Sequence, residues 1–272
     1  MPKTILITGS TDGIGLETAK LLAAAGHNVL LHGRNPHKLA EAARILSAMR
    51  NGGSAETYTA DLSRIADVEA LAREVTGRHS GLDVLINNAV VYRASEPVTE
   101  NGLDIRFAVN TIAPYLLTQR LLPLMQPTGR VINLSSAAQA PVDLQALAGK
   151  TVLSDGAAYA QSKLALTMWS RSLGLQLKGK GLLVVSVNPG SLLGSKMVKE
   201  AFGVAGADLA IGADILRRAA LEEEFAAAHG LYFDNDAGRF ADPHPDALDP
   251  RKSQEILSLV ETIISRLTQE QE

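Results

Sequence analysis

Cysteine is absent from the 272 residues, which excludes disulfides, thiolate metal sites and thiol nucleophiles. A cysteine-free chain also suits a reducing compartment. An excess of positive charge is lacking too. Lys+Arg number 26 against 29 Asp+Glu, a net charge of −3, so no global field favours nucleic acid or an anionic membrane as partner. No stretch approaches the roughly 20 consecutive apolar residues of a membrane span. The apolar run near Met1 is too short for a signal peptide and meets turn residues at once. The expected setting is therefore cytoplasmic. Metal motifs are missing as well: the 6 His show no i, i+4 pairing. Asp234-Asn235-Asp236-Ala237-Gly238 has its Gly one position early for a calcium loop, and no Glu closes it. No metal is expected. Ser135-Ser136 lacks the G-x-S-x-G elbow of a hydrolase nucleophile.

What remains is a globular balance, 46% hydrophobic and 20% charged, with short apolar runs alternating with amphipathic segments. Strands are expected at 3–8, 28–31, 56–60, 84–87, 130–134 and 182–187. Helices are expected at 14–25, 36–50, 65–77, 102–125 (broken at Pro114), 157–177 and 251–267. Such alternation predicts an α/β fold, a Rossmann-type doubly wound parallel sheet with helices on both faces. With no repeat or low-complexity linker, residues 1–272 read as a single domain. Two segments are irregular. Residues 139–156 form an extended loop, either lid or pocket wall. Residues 234–272 read as a loop with three prolines, 234–250, followed by a helix.

The first strand runs into Thr8-Gly9-Ser10-Thr11-Asp12-Gly13-Ile14-Gly15. Glycines in a strand-to-helix turn let backbone approach a diphosphate whose charge faces the helix N-terminus. The second strand ends at His32-Gly33-Arg34-Asn35, where a carboxylate for a ribose 2′-hydroxyl is missing. A guanidinium suits a 2′-phosphate better, which points to NADP(H) as cofactor. Asp61-Leu62 follows the third strand, near the expected adenine edge, and Asn87-Asn88-Ala89 the fourth.

Tyr159-Ala160-Gln161-Ser162-Lys163 lies in an expected helix, so the phenol and the ammonium share a face. A fixed ammonium about 4 Å away contributes roughly 4 kcal/mol to a phenolate at an effective dielectric near 20. Against desolvation, a net fall of about two to three units would bring the tyrosine toward neutral pH. The spacing arises often by chance and needs partners elsewhere in the chain.

Those partners exist. Thr8-Gly9-x-x-x-Gly13-x-Gly15, Asp61-Leu62, Asn87-Asn88-Ala89, Asn110, Ser135-Ser136, Tyr159-x-x-Ser162-Lys163 and Asn188-Pro189-Gly190 together resemble the short-chain dehydrogenase/reductase family over essentially the whole chain. The resemblance implies an open seven-stranded sheet with a nicotinamide cofactor across the strand ends. It implies a catalytic group of Asn110, Ser136, Tyr159 and Lys163. In it Tyr159 is the general acid/base and Ser136 supports the substrate oxygen. Lys163 lowers the tyrosine pKa and binds the nicotinamide ribose, while Asn110 holds a water. Cofactor contacts are expected at Gly9, Ser10, Thr11, Gly13, Ile14, Gly15, Arg34, Asn35, Asp61, Leu62, Asn88, Ala89, Tyr159, Lys163, Pro189, Gly190 and Leu192. A homodimer or homotetramer through helix faces is common in the family.

Three departures stand out. Val90 occupies the family's usual Gly after Asn-Asn-Ala. Gly194 stands where a Thr is expected, with Ser195 next. Ser136 and Tyr159 are unusually far apart, as in the branch similar to retinol dehydrogenases, which favours NADP(H). The expected function is carbonyl–alcohol interconversion on a largely apolar small molecule. The pocket wall is expected from Val91, Tyr92, residues 139–156 and 191–199, and Tyr232. A non-catalytic NADP-binding regulatory or scaffold protein is the alternative, and an isomerase or dehydratase on the same frame stays open.

Overall fold

The computed structural model describes residues 1–49 and 52–269. Eight strands, β1 (Thr4–Ile7), β2 (Asn28–Gly33), β3 (Ala55–Thr59), β4 (Leu82–Asn87), β5 (Met125–Leu134), β6 (Leu183–Asn188), β7 (Tyr232–Asp234) and β8 (Arg239–Ala241), form one sheet. Their order is β3-β2-β1-β4-β5-β6-β7-β8. The first seven run parallel, and β8 turns back antiparallel on β7. The expected seven-stranded sheet thus gains an antiparallel edge. Part of the expected 234–250 loop is the turn and return strand of that hairpin. Its three residues are too short for an alternation signal.

The helices are α1 (Gly13–Ala24), α2 (Pro36–Ser47), α3 (Ile65–Arg78), α4 (Ile105–Phe107), α5 (Ala113–Leu121), α6 (Leu144–Leu147), α7 (Asp155–Leu177), α8 (Lys196–Phe202), α9 (Leu209–Leu221), α10 (Pro245–Leu248) and α11 (Pro250–Gln269). The expected end of the second helix, Arg50, lies outside the described residues. Successive strand residues face opposite sides. Leu6, Leu30, Leu85, Val131 and Val184 enter a core shared with α3, α5, α7 and α11. Ile7, Leu31, Ile86, Ile132 and Val185 enter a second core under α1, α2 and α9. Burial on both faces explains the unbroken apolar reading of the parallel strands.

The helical stretch after β4 departs from expectation in an instructive way. Its break is a π turn over Ala108–Ile112, and Pro114 sits in the first turn of α5. Proline has no N–H to return to the carbonyl of residue 110, and the chain widens one turn upstream. That widened turn carries Asn110. Strand order reverses between β1 and its neighbours β2 and β4, which opens a crevice at the carboxyl ends of the strands. Gly9, Asn88, Ser136 and Pro189 all follow strand ends at that edge.

Candidate active site

Helix α7 starts two residues earlier than its composition indicates, because Ser154 caps it by accepting from the Ala157 N–H. The helix then runs through the core, with Tyr159, Ser162, Lys163 and Trp169 all buried. Tyr159 is 9% and Lys163 2% exposed. The Lys163 ammonium lies 5.8 Å from the centre of the Tyr159 ring and donates to the Leu134 carbonyl at 2.7 Å. Burial pushes the Tyr159 phenol up, the Ser136 hydrogen bond opposes that, and Tyr92 adds to the rise. Burial likewise brings Lys163 down to about 7. The expected fall of the tyrosine under its lysine is therefore not produced by the protein groups alone. Desolvation dominates because both groups are enclosed, and the ammonium is turned to the Leu134 carbonyl.

Of the adjacent serines, Ser135 is buried and shares a 2.6 Å hydrogen bond with Thr167. Ser136 is half-buried and its side chain reaches Tyr159. The strand's alternation sends one into the α7 interface and the other into the crevice. Asn110 is 1% exposed. Its amide accepts from Val91 N–H at 2.8 Å and donates to Val91 C=O at 2.9 Å and Ser162 Oγ at 3.0 Å. Both of its amide hydrogens are engaged, so the side chain ties the 89–92 segment to α7. Tyr92 lies beside the site, its ring centre 5.0 Å from that of Tyr159.

At the glycine turn, Gly9 has φ +65 and a Cβ there would come within 2.8 Å of Ala89 Cα. Gly15 is closed in by the Gly9 carbonyl and the Asn88 amide. Gly13, at φ +57, has only Ser195 near the place of its missing Cβ, at 4.0 Å. Asp12 precedes α1 without a side-chain cap. The first-turn N–H groups of Gly13, Ile14 and Gly15 thus have no side-chain cap from Asp12, and such donors suit a diphosphate. Helix α8 is capped by Ser195, which accepts from Val198 N–H at 3.2 Å. The displaced hydroxyl is therefore engaged, yet it stands over the glycine turn.

Several expected cofactor residues also hold the surrounding structure together. Ser10 is fully buried, its hydroxyl bonded to the His32 backbone. Asn88 donates to the Thr8 and Gly9 carbonyls at 2.9 Å, and Thr8 Oγ1 accepts from the Asn88 and Ala89 N–H groups. Asn35 caps α2, Asp61 accepts from Ser63, and Leu62 is in the core. Ile14 approaches Gly212 on α9, and Thr11 lies against Gly33. Arg34 is exposed and has no ion-pair partner among the described residues, whereas Lys38 pairs with Asp12 at 2.9 Å. Leu192 is held at φ +50 and is half exposed.

Sequence reasoning missed four groups. His32 accepts the Gly9 N–H at 3.2 Å and its other ring nitrogen meets the Ala60 carbonyl at 3.2 Å. Burial holds its pKa down at about 4, so this neutral ring fixes the turn. Its signal was a polar residue closing an apolar strand. Asp236 accepts from Ser191 N–H and Oγ at 2.8 and 2.6 Å and from Asn188 at 2.9 Å. The acidic turn that faintly resembled a calcium loop therefore secures the Pro189-Gly190 segment. Arg106, 1% exposed, pairs with Asp104 and Asp155, and nothing in its sequence context marks it. Tyr232, expected only as pocket wall, donates to the Ser136 carbonyl at 3.2 Å.

The 139–156 connection is anchored at many points. Ala140 N–H reaches the Ala160 carbonyl at 3.3 Å, Asp143 N–H reaches Gln161, and Leu147 is fully buried. Residues 140 and 143 are thus tied to α7, while Val152 stays exposed. Among the described residues no group of acidic or His side chains could hold a metal, and no helix is long and apolar enough to cross a membrane.

A Rossmann-like sheet with a glycine turn at the carboxyl end of β1 defines a class of nucleotide-binding fold. A model of the family described as short chain dehydrogenase matches residues 3–203, and the chain belongs to that family. It falls among relatives of the retinol dehydrogenase type. Retinol dehydrogenase 13 of Mus musculus is 35% identical over 193 residues, 69% of this chain and 58% of that protein. The matched region thus spans under two thirds of that relative's length. Short-chain dehydrogenase TIC 32 A, chloroplastic, of Brassica napus is 32% identical over 69% of this chain and 63% of its own. Among solved structures, an uncharacterized protein from Mycobacterium Paratuberculosis superimposes with TM-score 0.80 at 27% identity, covering 97% of this chain and 93% of that one. A landomycin C-6 ketoreductase with bound NADP and rabelomycin gives TM-score 0.68 at 32% identity over 86% and 94%.

Proposed function

We propose that the protein is an NADP(H)-dependent oxidoreductase that interconverts a carbonyl and an alcohol on a largely apolar small molecule. The observation that carries this reading is the convergence of Ser136 and Tyr159 side chains beside buried Lys163 at the mouth of the crevice. A nicotinamide, when bound, supplies or accepts the hydride. In reduction Tyr159 Oη gives its proton to the substrate oxygen, and in oxidation it takes that proton back. Ser136 Oγ hydrogen-bonds the same oxygen and supports its developing charge. Lys163, brought down to about 7 by burial, would hold the nicotinamide ribose through its ammonium and offset charge on the tyrosine. Asn110 keeps Val91 and Ser162 in register with them.

Arg34, exposed and with no ion-pair partner among the described residues, supports a preference for a 2′-phosphate, as do the NADP complexes among the solved relatives. Tyr92 against Tyr159 and half-exposed Leu192 favour apolar substrates. The test is NADPH oxidation over a panel of aldehydes, ketones and quinones. Tyr159→Phe should lower turnover at least about 100-fold while NADPH still raises the melting temperature. Thermal stabilisation by NADPH with no turnover on any member would instead favour a binding protein.

A further inference from the structure

The carbonyl of Ser136 accepts two hydrogen bonds, from Gln139 Nε2 at 2.9 Å and from Tyr232 Oη at 3.2 Å. A carbonyl oxygen has two lone pairs, so this acceptor is saturated and its peptide plane is held from two sides. Gln139 is itself fixed, its Oε1 accepting from His244 N–H at 3.2 Å, and its side chain also meets the Tyr232 hydroxyl. Tyr232 is 6% exposed on β7, where it pairs in register with Ser186 of β6. From there it reaches past β6 to the end of β5. The Ser136 hydroxyl, meanwhile, accepts from Ala138 N–H at 3.1 Å and meets Tyr159. Tyr232 and His244 both lie beyond the 3–203 region of the family match.

We propose that Tyr232 and Gln139 are positioning residues that clamp the Ser136 peptide and so aim the Ser136 hydroxyl at the oxygen shared with Tyr159. This rests on the oxidoreductase reading of the site. A hydroxyl that must meet a developing oxyanion within a few tenths of an ångström loses its effect when its own backbone swings. The clamp brings the segment after β6 into the chemistry: β7 contributes Tyr232, and the turn that follows it holds Ser191 through Asp236.

The experiment uses the full chain with Tyr232→Phe, Gln139→Ala, Ser136→Ala, Tyr159→Phe and the Tyr232→Phe/Ser136→Ala pair. Turnover is read on the panel member that wild type reduces fastest, and hydrogen exchange is read on peptides covering 134–140. Tyr232→Phe should lower kcat about 10-fold with KM for NADPH and melting temperature unchanged, and should raise exchange in 134–140 about 10-fold. In the Ser136→Ala background the same change should lower kcat less than 2-fold. Undiminished loss in that background, unchanged exchange, or wild-type kcat in Tyr232→Phe overturns the clamp. The exchange reading decides even if the panel holds no substrate. If Ser136→Ala and Tyr159→Phe both turn over like wild type, the site reading fails, and the clamp's catalytic role with it; if they collapse and Tyr232→Phe does not, only the clamp fails.

Discussion

Arg34, exposed and with no ion-pair partner among the described residues, is where the proposed NADP(H) preference rests, through contact with a 2′-phosphate. A charge-assisted contact of that kind contributes about 1.5–3 kcal/mol. Arg34→Ala is therefore expected to weaken NADPH binding by roughly 10- to 100-fold, with NADH binding unchanged, as read by isothermal titration. His32 makes a different prediction. Its pKa is about 4 in the fold against an ordinary 6.5, so between those values the unfolded chain binds the extra proton. Stability from this residue is whole above pH 6.5 and falls as pH drops toward 4, by about 3 kcal/mol at the limit. Urea midpoints of wild type should fall more steeply from pH 6.5 to 4.5 than those of His32→Asn. Parallel slopes would falsify a neutral, buried His32.

Among the elements, α7 depends on an ion cluster at its start. Arg106 from α4 is enclosed between Asp104 and Asp155, and Arg93 reaches Asp155 from the 89–98 segment at 3.2 Å. Asp155 is the first residue of α7 and stands one turn before Tyr159. Removing Arg106 leaves the largely buried Asp104 carboxylate without its guanidinium, while Asp155 keeps Arg93, and costs about 3 kcal/mol. Arg106→Ala should lower the denaturant midpoint by a corresponding amount, while Arg93→Ala, at an exposed pair, should change it by less than about 1 kcal/mol. Equal small effects from both would show that the cluster does not hold the helix.

Over the whole molecule, α11 settles which surface α7 presents. Ile256, Val260, Ile263, Ile264 and Leu267 bury against the core of α7 and α3, and Tyr115 on α5 donates to Glu261 at 2.7 Å. This face of α7 is covered by α11. Ile263→Glu, which places a charge in that interface, should lower the melting temperature by several degrees. A variant that melts like wild type would overturn this packing role for α11.

Much of this architecture was legible in order along the chain. Six strands, the main helices and the glycine turn follow from periodicity and local turn chemistry, which act between residues close in sequence. Tyr159 and Lys163 were likewise legible, since helical spacing alone puts them on one face. The hairpin at β8, the π turn at Asn110 and the capping of α7 at Ser154 were not, because each is shorter than a period or depends on a neighbour's missing N–H. The support roles of Ser10, Asn88 and Asn35, the ring of His32 under Gly9, and Arg106 at α7 all required knowing which strand ends meet. So did the protonation balance at the site. Sequence alone determined the fold class and pointed to the residues proposed to carry the chemistry. Tertiary structure decided how Ser136 is held and that burial dominates at both Tyr159 and Lys163, because desolvation is set by everything that surrounds a group and not by its neighbours in the chain.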